Sequence, residues 1–542
     1  MPRSIRHILS HLKPFLEPCL AGALVGGILT LGFAPYSIAV AGILAMALLA
    51  FFLLARRTTI LQGLLFGYTL GLVHFLTVFY WLIYVTALGW IAVCLYMAIY
   101  PAAWGAFMAF YLKKGRHEVP TSLYNIRFSF VGASAWVVNE WLRGTIVTGF
   151  PWNYLGVTLV HHSLIPLIQV AALGGVLLVS FVVAFFGLML GLTAWRIWRE
   201  VNAGQYRGSH YDFFAAMALV CLCFIFGFKA MTHVPPPAGY WNFLAIQPDI
   251  PERAWQKNLL SDALIKEDRL TRQGILAARS KGENPDAIIW PEPAVAADFF
   301  ESPLFFSVVK QLVEDSGSPV IFGSNDFEGG KVYNSSILLH LRGTQEVYHK
   351  RHLVPFGEYV PLADYLPFLR QLVPPGVDFS PGNTAKVFRL PLKIGGGEIA
   401  IAPLICFEDT VPAIVDSTIK LKPDIFINQT NDAWFLNSPA ARQHLDNAIF
   451  RAIEHRRPLI RCTNDGITAS IDERGIVENF LQNPHTGSVQ SEGYLLGTVE
   501  LHHYPPTPYE RFGNWIVWFS LIVCATAVIP RLLAFGKKFL FH

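Results

Sequence analysis

What most constrains this chain is a series of apolar segments, most of them about as long as a bilayer is thick. They fall at roughly 16–33, 38–55, 60–82, 88–112, 126–143, 164–195 and 211–230, with one more at roughly 513–533. A helix needs ~20 apolar residues to cross a bilayer, so the pattern predicts eight transmembrane helices. Little more than Ala34-Pro35-Tyr36 separates the first two. Composition points the same way: 53% of residues are hydrophobic and 15% charged, against about 25% charged in soluble domains. Arg3, Arg6 and Lys13 precede the first segment, but no small-residue cleavage pattern follows and further spans do, so a retained helix is expected.

Loop charges orient the bundle. With the N-terminus inside, alternate loops should be basic. Arg56-Arg57 follows the second segment, Lys113-Lys114-Gly115-Arg116 the fourth, Arg196, Arg199 and Arg207 the sixth, and Arg531, Lys537 and Lys538 the last. All are cytoplasmic if there are eight spans, and the long interval between the seventh and eighth is then periplasmic. The net charge of +4 carries no nucleic-acid signature.

That interval opens on Pro235-Pro236-Pro237 and closes on Pro505-Pro506-Thr507-Pro508, stiff connectors between membrane and domain. Inside it, strand-like runs alternate with helical stretches: 243–246, 287–290, 319–322, 399–405, 425–427 and 459–461. Such alternation argues for an α/β sheet. The expected domains are a helical bundle over 1–234, a catalytic domain over 235–511, and a last helix with its tail over 512–542.

The chemistry sits at strand ends. Ile399–Ile405 runs into Cys406, followed by Glu408 and Asp409. Glu292 stands between Pro291 and Pro293, and Lys350 precedes Leu353-Val354-Pro355-Phe356-Gly357-Glu358. Singly, these read as a packed thiol, a loop carboxylate and a solvated lysine. Together they form a coherent set. A carboxylate raised by burial accepts a thiol proton and returns it to a leaving group, while an ammonium favours the thiolate and stabilises an oxyanion.

With these motifs the chain resembles the nitrilase (carbon–nitrogen hydrolase) superfamily, and within it the membrane-bound apolipoprotein N-acyltransferases. Asn431-Asp432-Ala433-Trp434-Phe435, Thr463-Asn464-Asp465-Gly466, Trp141-Leu142-Arg143, Gly149-Phe150-Pro151-Trp152-Asn153 and Arg511-Phe512-Gly513-Asn514-Trp515 extend the resemblance over nearly the whole chain. It implies an α-β-β-α sandwich domain in the periplasm, fixed to a bundle of about eight helices in a bacterial inner membrane. It makes Glu292 the general base, Lys350 the stabiliser of the tetrahedral intermediate and Cys406 the nucleophile. Glu358 is implied as a second essential carboxylate, Asn334 and Glu408 as supporting polar residues, and Trp255 and Trp434 as aromatics on loops beside the cleft. Two positions depart from the family: Phe407 replaces a common tyrosine, and Leu436 a common glycine, which should stiffen that loop and reshape the acyl pocket.

In the bundle, Glu140 is read either as a functional intramembrane carboxylate or as the partner of Arg143 three residues on; Arg143 is a candidate for meeting a lipid phosphate. Neither His161-His162 nor His502-His503 suits one ion, and no CxxC pair occurs, so neither metal nor cofactor is expected. The resemblance implies acyl transfer from a membrane phospholipid, through a cysteine thioester, to the α-amine of a diacylglyceryl-modified N-terminal cysteine on an apolipoprotein. The alternatives are a tethered nitrilase-like amidase, for which one span would suffice, and an inactive membrane receptor or scaffold.

Overall fold

The computed structural model describes residues 3–55, 58–112, 121–147, 149–204, 209–251, 259–293, 297–361, 363, 365, 378–392 and 397–540. Trp255, Arg207 and the basic clusters at 56–57 and 113–116 lie outside them. The chain divides into two compact units, one of Met1–Ile83, Ala87–Thr232 and Arg511–His542, the other of Tyr84–Thr86 and His233–Glu510.

The first unit is helical. Among the described residues, five helical stretches are long and apolar enough to cross a membrane: Leu12–Thr30, Ile60–Val78, Ala87–Tyr111, Ala171–Ala203 and Tyr211–Thr232. Val40–Leu53 and Trp515–Pro530 are apolar but shorter. Ser122–Arg143 is 22 residues long and carries Arg127, Glu140 and Arg143. Each expected segment is thus helical over most of its length, with altered ends. The first helix begins at Arg3. The fourth segment is two helices, Ala87–Met97 and Ile99–Tyr111, broken just ahead of Pro101, which cannot donate back to the preceding turn. The sixth starts at Ala171, and non-helical backbone at Gly174 and Gly175 interrupts it. Thr59 caps the third helix reciprocally: the Gln62 amide donates to Thr59 Oγ1 at 3.2 Å and the Thr59 amide to Gln62 Oε1 at 3.0 Å. Leu20, Leu24, Leu222, Ile225 and Trp518 of this unit are 61–65% exposed, a surface that suits hydrocarbon rather than water.

Among the described residues, the second unit holds two six-stranded sheets. In the first the order is β12-β1-β2-β3-β4-β5, built from Gly493–His502, Pro237–Gln247, Ala287–Ile289, Val320–Glu328, Lys331–Leu339 and Gln345–His349. In the second it is β11-β10-β9-β8-β7-β6, built from Val477–Phe480, Ala469–Ile471, Leu459–Thr463, Ile425–Thr430, Glu398–Ile405 and Phe388–Pro391. Both share a plan of three parallel strands at the centre, β1–β2–β3 and β9–β8–β7, flanked by antiparallel ones. Every strand-like run expected from sequence lies in or abuts one of these six.

One apolar core is shared by both sheets. Phe243, Ile289, Ile321 and Leu338 of the first meet Ile401, Ile405, Ile427 and Ile460 of the second. A second core lies between the first sheet and the helices Leu260–Ser280 and Pro303–Ser316, where Leu270, Ile275, Val309 and Leu312 cover Ile288, Val320 and Phe322. These strands are buried on both faces, which is why they read as unbroken apolar runs.

Candidate active site

Cys406, Glu292 and Lys350 follow the ends of β7, β2 and β5, where an α/β sheet presents its reactive groups. The backbone at Cys406 is left-handed, with φ +51°, and the carbonyl of that residue accepts a hydrogen bond from Asn428 Nδ2 at 2.9 Å. A non-glycine residue held in that region is strained by about 1–3 kcal/mol and persists only where its surroundings enforce it. Glu292 is brought over β3 by close approach: a Cβ at Gly323 would lie 2.6 Å from the Pro291 carbonyl oxygen.

The three side chains converge. Lys350, 1% exposed, donates to Glu358 Oε1 at 2.9 Å and reaches Glu292 Oε1 at 3.4 Å. Asn334 Nδ2 donates to both carboxylates, at 2.7 Å to Glu292 and 3.0 Å to Glu358. The other oxygen of Glu358 accepts the Val354 amide at 2.9 Å. Two carboxylates thus share one ammonium and one amide.

Burial raises the pKa of Glu292; Lys350 opposes the shift, the charge of Glu358 adds to it, and hydrogen bonds from Asn334 and Cys406 oppose it. Burial alone would lower Lys350, but Glu358 and Glu292 outweigh it and hold the ammonium well above its usual range. The Cys406 thiol is also pushed well up, by burial first and then by Glu292; Lys350 opposes this and Asp432 adds to it. The resting site is therefore a neutral thiol beside a carboxylate whose proton affinity has been raised toward it. That pairing suits proton transfer during attack rather than a standing thiolate.

Glu408 lies behind the thiol, fully buried. Its carboxylate accepts from the Arg351 and His352 amides at 2.7 and 3.1 Å, from the Ile405 amide at 2.9 Å, and from Tyr348 Oη at 2.9 and 3.0 Å. It joins the strand end bearing Cys406 to the one bearing Lys350. Trp434, 38% exposed, sits on the turn Asp432–Phe435. Phe407 packs its ring on His352 at 5.7 Å between centroids. Leu436 has φ +50° and ψ −160°, a conformation essentially reserved for glycine, with its side chain 55% exposed.

In the helical unit, the structure places Arg143 among main-chain acceptors. It is 4% exposed, donates to the carbonyls of Phe150, Trp152 and Asn153 at 3.3, 2.8 and 3.4 Å, and lies over the Tyr154 ring. Its guanidinium is engaged with main chain. No ion pair links it to Glu140 among the described residues; Glu140 Oε1 instead accepts from Trp136 Nε1 at 3.0 Å and the Leu155 amide at 2.6 Å. Both residues pin the 150–155 segment to their helix.

Sequence reasoning missed a set of buried charges beneath the thiol: Asp409, Asp432, His444 and Arg461. The signal available was Asp409, three residues after Cys406. It also missed Asp326, Glu328 and His349, whose potential ligand atoms lie within 4.8 Å of one another. There His349 Nε2 already meets Asp326 Oδ2 at 2.8 Å, and its ring stacks on Tyr333.

Comparison with known proteins fits this geometry. Residues 245–491 match the carbon–nitrogen hydrolase family, and residues 25–189 match the apolipoprotein N-acyltransferase N-terminal domain. Together they define a class: a membrane-bound enzyme built on a carbon–nitrogen hydrolase domain. The apolipoprotein N-acyltransferase of Geobacter metallireducens is 32% identical over 499 residues, 88% of each chain. That of Vibrio parahaemolyticus is 30% identical over 539 residues, 95% of this chain and 98% of its own. The chain belongs to the apolipoprotein N-acyltransferase family.

Proposed function

We propose that the chain N-acylates lipoproteins by a two-step transfer through Cys406, with a membrane phospholipid as donor. In the first step the Cys406 sulfur attacks an ester carbonyl and its proton passes to Glu292. Lys350 balances the negative charge on the tetrahedral oxygen. The C–O bond then breaks, Glu292 returns the proton to the leaving alkoxide, and a lysophospholipid departs. In the second step the neutral α-amine of an S-diacylglyceryl-cysteine attacks the thioester, Glu292 takes the amine proton, and as the C–S bond breaks Glu292 hands that proton to the departing sulfur, restoring the thiol and the carboxylate. Atoms and charges balance without a metal or cofactor.

The observation that carries this reading is the convergence of buried Glu292 and Lys350 on the partly buried Cys406 in a chain of this family. Glu358 and Asn334 hold Lys350 and Glu292 in register, and Glu408 fixes the turn behind the thiol. Trp434 is assigned to a loop flanking the cleft, the role expected of Trp255 as well.

Eight spans, with the bundle over 1–234, the catalytic domain over 235–511 and the last helix with its tail over 512–542, are part of the proposal. So is an inner-membrane location with the catalytic domain in the periplasm. The doubled sheet, covered by helices on the face of its first layer, supports the α-β-β-α arrangement.

Exposure of the purified protein to phospholipid without acceptor tests the reaction directly. One fatty-acyl group should appear on Cys406, be released by hydroxylamine, and move to a diacylglyceryl-cysteine peptide when one is added. Cys406→Ser should lose it. Cys462, fully buried with its sulfur 3.3 Å from the carbonyls of Ile246 and Ile289, is the internal control. Acyl mass on Cys462, or none on denatured protein, overturns the assignment; an amidase would acquire no lipid-derived mass, and a scaffold would bind lipid only non-covalently.

A further inference from the structure

Four charged side chains close on one another beneath Cys406, each at most 1% exposed. His444 Nε2 lies 2.9 Å from Asp409 Oδ1, and Nδ1 lies 3.0 Å from Asp432 Oδ1. Arg461 Nη1 donates to Asp409 Oδ2 at 2.6 Å, and Nη2 reaches Asp432 Oδ2 at 3.4 Å. Asp409 belongs to the turn Cys406–Thr410, Asp432 to the turn bearing Trp434, His444 to the helix Ala440–His455, and Arg461 to β9.

Both ring nitrogens of His444 face carboxylate oxygens. A neutral imidazole has a single N–H, so one of these contacts would set lone pair against lone pair; only the imidazolium donates to both. With it, two negative and two positive charges cancel. Without it, an uncompensated negative charge would remain in a site closed to water, which is strongly unfavourable. Burial and Arg461 both work against the charged ring, yet Asp409 and Asp432 outweigh them and raise its pKa to about 9.

The closure over Asp432 is tight. A Cβ at Gly466 would lie 2.7 Å from Asp432 Oδ2, and the Asp432 amide donates to the Asp465 carbonyl at 3.0 Å. Among the described residues, Glu292, Lys350 and Asp432 are the charged groups that act most strongly on the thiol. Those that face Asp432 are His444, Arg461 and, from the loop after β9, Asp465.

We propose that His444 is a positioning residue for the thiol: it ties the turn that carries Cys406 to the Asp432–Phe435 turn and, as an imidazolium, cancels the charge that Asp432 turns toward the sulfur. The inference rests on the reading of Cys406 as nucleophile. Neither Asp432 nor His444 touches substrate in this account; they set the field in which the thiol gives up its proton.

The test follows alkylation of Cys406 by iodoacetamide against pH, read from the mass of the Cys406 peptide of the full-length protein in detergent. His444→Gln should move the midpoint upward by about one pH unit, the effect of one nearby charge, and slow acyl-enzyme formation about tenfold at neutral pH. Adding Asp432→Asn to that variant should bring the midpoint back. Folded H444Q with the wild-type midpoint, its activity falling only in step with its melting temperature, overturns the proposal. Should H444Q not fold, Asp432→Asn alone decides: its midpoint should fall, and an unchanged one is equally fatal. Wild-type protein that never carries acyl on Cys406 sinks the underlying reading instead.

Discussion

At the scale of single residues, Glu292 is distinguished from Glu358 by its company. Both contact Lys350 and Asn334, but only Glu292 also takes a hydrogen bond from the Cys406 thiol. Glu358 spends its second oxygen on a main-chain amide. Glu292→Gln keeps the shape and removes the proton acceptor, so thioester formation should fall by ~10²–10⁴-fold while the protein stays folded and inserted. Intact-mass kinetics measure it; near-normal acylation would move the base to Glu358. These residues were legible because each follows a strand in a distinctive local setting. The buried square of Asp409, Asp432, His444 and Arg461 was not, since its members come from four elements that only the tertiary fold brings together.

Among the elements, the six strands found from sequence are the parallel ones, β1 to β3 and β7 to β9. Packed on both faces, they show as continuous apolar runs. The missed strands flank them; β6 (Phe388–Pro391) alternates between buried and exposed positions and β11 (Val477–Phe480) has three of its four residues exposed, so no apolar run announces either. The turn after β8 carries a different lesson. Leu436 occupies backbone that suits glycine, and its exposed side chain gains little from burial in return. Leu436→Gly should relieve part of a strain of about 1–3 kcal/mol, reduced by the greater freedom of glycine in the unfolded chain. The expected net gain is about 1 kcal/mol, read by urea unfolding of the catalytic unit. A loss of stability would mean that the leucine side chain holds the loop.

For the molecule as a whole, the apolar segments foretold a helical unit and misplaced its ends, because prolines and glycines inside a run break a helix without interrupting its hydropathy. Pro101 and the Gly174–Gly175 pair are the two cases. Orientation is a separate matter, argued from basic loops. A reporter fused after Lys114 or Arg199 should register cytoplasm, and one inserted near Gly239 should register periplasm. A cytoplasmic signal at Gly239 would remove the eight-span count and set the site on the wrong side for lipoprotein acceptors.

The carboxylate of Glu408 works like a surveyor's datum. The peptide amides beside Lys350 and the one before Cys406 are all measured from it, although one group stands on the first sheet and the other on the second. The spacing of the two layers at the reacting groups is thereby tied to one carboxylate, in addition to the apolar core that both sheets share. A drift of 1 Å between reacting groups can cost ~10²-fold in rate, so core substitutions that merely let the layers slip should surface first as slow chemistry, well before they surface as unfolding.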